Sequence, residues 1–87
     1  MSVCEWQTFS GITTEIWKRI KIDLANSHEI VGPIADSGTQ SASGYTVTWR
    51  YIAASQVLQV QVSGPWYAPC DVINPTISDE VAKAKLA

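Results

Sequence analysis

Between Tyr45 and Ser63 the chain alternates bulky apolar and polar residues with a period of two. Tyr45, Val47, Trp49 and Tyr51 fall on one side, with Thr46, Thr48 and Arg50 on the other. After Ala53-Ala54-Ser55-Gln56, the residues Leu58, Val60 and Val62 oppose Gln59, Gln61 and Ser63. Side chains alternate faces along a strand, so this pattern predicts an antiparallel hairpin with one buried and one wet face. Nothing in the turn demands a positive φ, which predicts a four-residue loop around a type I turn.

From Phe9 to Asn26 the period lengthens. Phe9, Ile12, Ile16, Ile20 and Leu24 recur at spacings of three or four, and Thr13 and Trp17 widen the stripe. At about 100° per residue this is one face of an amphipathic helix. Thr8 or Ser10 can cap its start, and Asn26-Ser27 can end it. Ile22 falls off the stripe, among Glu15, Lys18 and Arg19.

His28 to Ile34 reads as a short strand interrupted by Gly32 and Pro33, and so one that lies at a sheet edge or ends early. Ala35 to Gly44 is small and polar, and longer than the usual hairpin loop of about two to five residues. It reads as a connecting loop. Beyond Gly64-Pro65, Trp66 to Ile73 reads as extended. Asn74-Pro75 is a helix start, with Asn as N-cap and Pro at the first helical position. Ile77, Val81 and Ala84 then form a narrow apolar stripe. Asp79 and Glu80 come early in that helix and Lys83 and Lys85 late, which suits the helix dipole. Residues 1–8 are either a short strand or an irregular arm anchored by Trp6.

The order α-β-β-β-α with short connections predicts an α+β two-layer sandwich. Its antiparallel sheet has three strands, or four if residues 1–8 add one, and both helices pack on the single apolar face. In the core Tyr45, Val47, Trp49, Tyr51, Leu58, Val60 and Val62 meet Ile12, Ile16, Ile20, Leu24, Ile77 and Val81. The whole of 1–87 is one domain.

Composition supports one core: of 87 residues 46% are hydrophobic, with four Trp and three Tyr. Only 16% are charged, against a usual figure of about 25%. The exterior is therefore either rich in neutral polar groups or partly covered by another chain. A net charge of −2 excludes nucleic acid as the main partner, since phosphate binding draws on a strong cationic field. No apolar run reaches the roughly 18 residues that span a bilayer, so no membrane partner is expected. Met-Ser-Val-Cys-Glu-Trp-Gln has neither a basic leader nor an apolar stretch, so the expected compartment is cytoplasmic. Cys4 and Cys70 are then expected as free thiols, although a bridge between them could stabilise by up to about 4 kcal/mol.

Candidate chemistry is sparse. His28 is the lone histidine and reads as a surface or cap residue. Cys70 has no adjacent cation to lower its pKa and reads as a buried structural thiol. The carboxylates are scattered, with no calcium loop, zinc helix, phosphate loop or nucleophile elbow. The expectation is a chain that is not an enzyme and holds no metal or cofactor.

Trp49 and Tyr51 read as core. Trp66 and Tyr67, beside Gly64-Pro65, are candidates for a partner or ligand surface together with Arg50, Gln59 and Gln61. The strand from Val57 to Ser63 lacks Pro, Lys and inward charge, so its edge needs cover from residues 1–8 or from a second copy. The resulting expectation is a protein that works by association. It would form a homodimer or bind a partner protein through the hairpin edge and the polar sheet face. The alternative is a small-molecule binding domain whose cavity is lined by Trp17, Trp49, Tyr51 and Trp66.

Overall fold

The period-two segment folds as the central hairpin of an antiparallel sheet: β4 (Tyr45–Ile52) pairs with β5 (Val57–Gly64), placing Trp49 opposite Val60. The computed structural model describes residues 2–27, 32–33, 35–42, 44–64 and 68–86. The remaining elements are β1 (Ser2–Val3), β2 (Gln7–Phe9), α1 (Thr14–Ser27), β3 (Ser37–Ala42) and α2 (Ala68–Leu86). β1 and β2 lie end to end along β5, so the sheet has four strand positions in the order β1/β2, β5, β4, β3. The fourth-strand option for the N-terminal residues is the one realised.

All pairings are antiparallel, and one face carries both helices. Val47, Trp49, Tyr51, Leu58, Val60 and Val62 meet Ile12, Trp17, Ile20 and Leu24 around α1, and Ile73, Ile77, Val81 and Ala84 from α2. Ile16 and Tyr45 pack at the margin, half-buried. Of the expected core all but Tyr45 and Ile16 is buried, and Cys4, Trp17, Ile73 and Ala84 join it. Trp17 stacks on Tyr51 at 5.2 Å between ring centroids and tilts against Trp49 at 6.2 Å. Gln7 reaches under the sheet and donates from Nε2 to Ser78 Oγ on α2 at 3.0 Å.

Several local expectations are corrected. The first helix starts at Thr14, because Phe9 is committed to β2 opposite Leu58 and Gly11 turns the chain at φ 69°. Thr13 is the cap: its Oγ1 accepts from the Ile16 N–H at 3.2 Å, and its carbonyl accepts from Trp17. The four-residue hairpin loop is as expected, but Gln56 adopts φ 55° and its carbonyl accepts from Ile12 at 2.8 Å.

The expected connector 35–44 contains β3, paired in full with β4 from Ser37↔Arg50 to Ala42↔Tyr45. The expected strand His28–Ile34 lies outside the described residues except for Gly32 and Pro33, which belong to no strand. α2 begins six residues before Asn74 and runs through Pro75. The ring removes one backbone donor, and Thr76 Oγ1 turns back to donate to the Val72 carbonyl at 3.0 Å. Residues 68–73, read as extended, are therefore helical.

The free thiols are also corrected: Cys4 and Cys70 form a disulfide, with Cα atoms 5.6 Å apart. α2 packs against both β5 and β1. That brings the start of α2 beside the arm that follows β1, within the separation a disulfide needs.

Candidate functional site

Strand parity places every polar residue of the hairpin on the side away from the helices. From the pairings, three rows cross this outer face: Thr8, Gln59, Arg50 and Ser37; Gln61, Thr48 and Thr39; Val3, Ser63, Thr46 and Ser41. Hydroxyls meet across β3 and β4, with Thr39 and Thr48 oxygens at 3.3 Å and Ser41 and Thr46 at 3.1 Å. Gln61 Nε2 donates to the Cys4 carbonyl at 3.3 Å, and Arg50 Nη1 makes a long contact of 3.5 Å with Gln59 Oε1. Of the predicted surface residues, Arg50, Gln59 and Gln61 are thus brought together. Trp66 and Tyr67 lie outside the described residues.

The face also holds Trp6, which sequence reasoning treated only as an anchor. The register explains its position. Cys4 donates to the Val62 carbonyl, and Gln7 sits opposite Val60, so Glu5 and Trp6 together face the single residue Gln61. This is a β-bulge, a device that re-aims side chains at sheet edges. Here it lays the Trp6 ring, 39% exposed, under the Arg50 guanidinium at 5.2 Å. A cation over an indole face at this exposure is worth about 0.5–1 kcal/mol. It places the arginine between the Trp6 ring and Gln59.

The edges differ from expectation. Val57–Ser63 is not bare: β1, the bulge and β2 cover it, and the disulfide ties the arm to α2. The hairpin edge is thus removed as a candidate contact; among the described residues the sheet ends at the short, bulged β1/β2 arm on one side and at the six-residue β3 on the other. Tyr51 N–H donates to the Asp36 carbonyl at 2.7 Å. Inward and outward bonding alternate along an antiparallel strand. Gly38, Gln40 and Ala42 therefore bond to β4, while Ser37, Thr39 and Ser41 turn their N–H and C=O groups outward. Those outward groups have no partner among the described residues. β3 carries no Pro, Lys or charge, the features that usually guard an edge.

Asp36 fixes the start of β3 to α1. Its Oδ1 accepts from Trp17 Nε1 at 2.8 Å and lies 3.7 Å from Lys21 Nζ, which in turn sits 5.5 Å from the Trp17 ring centre. Below it, the Tyr51 hydroxyl donates to the Ile12 carbonyl at 2.8 Å. Burial raises the Tyr51 pKa above its ordinary value, and the Asp36 charge raises it further.

Elsewhere, Glu15, Lys18, Arg19, Ile22 and Asp23 line a shallow groove on the solvent side of α1. Among the described residues no group of three or more His, Cys, Asp and Glu side chains is placed to hold a metal. His28 lies outside the described residues, and the Cys70 sulfur is used in the disulfide. Among the described residues no helix is long and apolar enough to cross a membrane. No protein-family model, curated protein or solved structure matches the chain.

Proposed function

We propose that this protein works by association, engaging another polypeptide through the β3 edge and the adjoining polar face, without catalysis. The observation that carries this reading is the row of outward N–H and C=O groups on Ser37, Thr39 and Ser41. An exposed edge of this kind is a ready template for strand addition, in which backbone bonds give affinity and outward side chains give selectivity. Arg50, Trp6, Gln59 and Gln61 lie within the same face and supply the side-chain contacts.

A cavity-binding role has less support, because Trp17, Trp49 and Tyr51 pack on one another between the layers. A persistent disulfide fits an oxidising compartment better than the cytoplasm first expected, since cytosolic thiol pools reduce such bonds. A non-enzymatic role is supported by the commitment of Cys70 to that disulfide.

The test is crosslinking capture, comparing the wild type with Thr39→Pro. The Thr39 N–H points outward, so proline deletes an edge donor and no backbone bond within the sheet; the one side-chain contact that goes with it is the exposed Thr39–Thr48 hydroxyl pair. The reading expects a crosslinked chain, another copy or a different protein, that the proline variant loses. Equal crosslinking by both proteins, or none by the wild type, overturns it.

A further inference from the structure

We infer that the chain added to β3 is the β3 of a second copy, paired antiparallel across a twofold axis at Thr39. This rests on the association reading above and names its partner. In an antiparallel edge pair, outward-bonding residues must face outward-bonding residues. Setting Thr39 opposite Thr39 of the second copy places Ser37 opposite its Ser41, and Ser41 opposite its Ser37. That register engages all three outward residues at once, each pair exchanging two backbone bonds. Shifting the axis to Gly38 or to Gln40 leaves one of the three without its counterpart in β3.

Three further observations favour self-pairing in this register. The strand Ser37-Gly38-Thr39-Gln40-Ser41-Ala42 carries no charge, so the twofold brings no like charges face to face. Asp36, just before it, would stand opposite Ala42 of the second copy rather than opposite its own equivalent.

On the outer face, the hydroxyl row Thr48–Thr39, with its 3.3 Å contact, would continue through Thr39 to Thr48 of the second copy. Threonine pairs across strands are stabilising on a sheet surface.

On the helix side, Gly38 would oppose Gln40 of the second copy. A side chain built at Gly38 meets nothing within 4 Å, while Gln40 is half-buried beside it. The space left by Gly38 receives the incoming glutamine amide. An isologous contact of this sort closes on itself and stops at a dimer. It joins two four-position sheets into one continuous sheet with both helical layers on the same side.

Sedimentation equilibrium between about 10 μM and 1 mM tests this, because a single strand pair is smaller than a standard stable interface and calls for high concentration. The wild type is expected to dimerise with concentration. Thr39→Pro should weaken the association constant about tenfold or more, since one donor is lost from each copy. Amide exchange at Ser37, Thr39 and Ser41 should slow as the dimer fills. If the proline variant fails to fold, Thr39→Lys, a usual edge guard, replaces it with the same expected loss. A wild type that stays monomeric throughout, or dimerises equally in both variants, overturns the inference. A monomer that still crosslinks to a different protein in a Thr39-dependent way overturns only the second-copy assignment and leaves the association reading standing.

Discussion

Removing the Cys4–Cys70 disulfide should cost this domain a large part of its stability, in two separable ways. The bond spans 66 residues of an 87-residue chain, so it ties nearly the whole molecule into one loop. In the chain-entropy account, a crosslink of that span takes about 4 kcal/mol of freedom from the unfolded state. The total stability expected for a chain of this length is about 4–13 kcal/mol. The loss therefore amounts to a third or more of what holds the fold. With a urea slope of about 1 kcal/mol/M, the midpoint should fall by about 4 M. The thermal midpoint should fall by about 16–30 °C.

The second effect is local and concerns the native state. Once the bond is cut, β1 and β2 hold β5 only through two short ladders separated by the bulge. The arm should then detach more often than the rest of the fold unfolds. The assay is urea unfolding followed by circular dichroism, for the oxidised protein, the reduced protein and the Cys4→Ser, Cys70→Ser double variant. Amide exchange is followed at Leu58, Val60 and Val62, whose outward groups face the arm. A midpoint shift below about 1 M would refute the loop-closure argument. A full shift in which these amides still exchange only at the global unfolding rate would refute the detaching arm.

Three other perturbations test local claims. Tyr51 has a raised pKa, so the folded chain favours the neutral phenol, whereas in the unfolded chain it ionises near the usual value of about 10. Stability should be flat below that pH and fall above it as the unfolded state loses its proton first. Tyr51→Phe should cost about 1 kcal/mol at neutral pH, through the lost bond to Ile12. It should also flatten the alkaline slope in urea midpoints taken from pH 7 to 11, and an unchanged slope contradicts the assignment. Thr13→Ala should cost about 1 kcal/mol by uncapping α1, while Ser10→Ala should cost nothing; equal effects in thermal melts would mean that Thr13 is not the cap. Gly32→Ala would set a new Cβ 2.7 Å from Leu24 Cβ, with a cost of about 1–3 kcal/mol. A melt unchanged by that substitution would show that the close approach of this segment to α1 is not required.

The two layers and their core were legible because large side chains mark them. Residues 45–63 announce a half-buried hairpin by period two, and Ile12 to Leu24 announce a helix by period three to four. β3 was not legible because it buries no large side chain and so leaves no hydrophobic trace. Its signal is the alternation of hydroxyls at Ser37, Thr39 and Ser41, followed by the turn-forming pair Ser43-Gly44. The stripe of α1 extended falsely back to Phe9, since that side chain packs against the same core from a strand. Asn74-Pro75 is a strong local start signal. It was overridden because Ile73 is buried and Cys70 is bonded, which anchors the two preceding turns. Of the candidate surface, Arg50, Gln59 and Gln61 followed from parity alone. Trp6 could not be placed there, because its position depends on one extra residue in the arm, visible only in the register against β5.

The two flanks of the sheet beside β4 are managed in opposite ways, β5 by an added pair of short strands and β3 by composition, and the contrast follows from what each strand presents to a stranger. β5 alternates Leu58, Val60 and Val62 with glutamines. Left bare, it would offer both open backbone groups and a run of high β propensity, the combination that drives uncontrolled pairing. It is covered by two short strands, and that cover is fastened covalently. β3 offers the same open backbone groups without apolar bulk: Ser, Gly, Thr, Gln, Ser and Ala. A partner strand there gains hydrogen bonds but little hydrophobic burial, so the contact is weak, reversible and dependent on matching register. Replacing Thr39 and Ser41 by valine would exchange each hydroxyl for apolar carbon, about 0.8 kcal/mol for each added carbon if fully buried. The expected result is loss of closure: species larger than a dimer in sedimentation, and fibrous material on standing. A Thr39→Val, Ser41→Val protein that stays as soluble and as small as the wild type would show that polarity is not what keeps this edge in check.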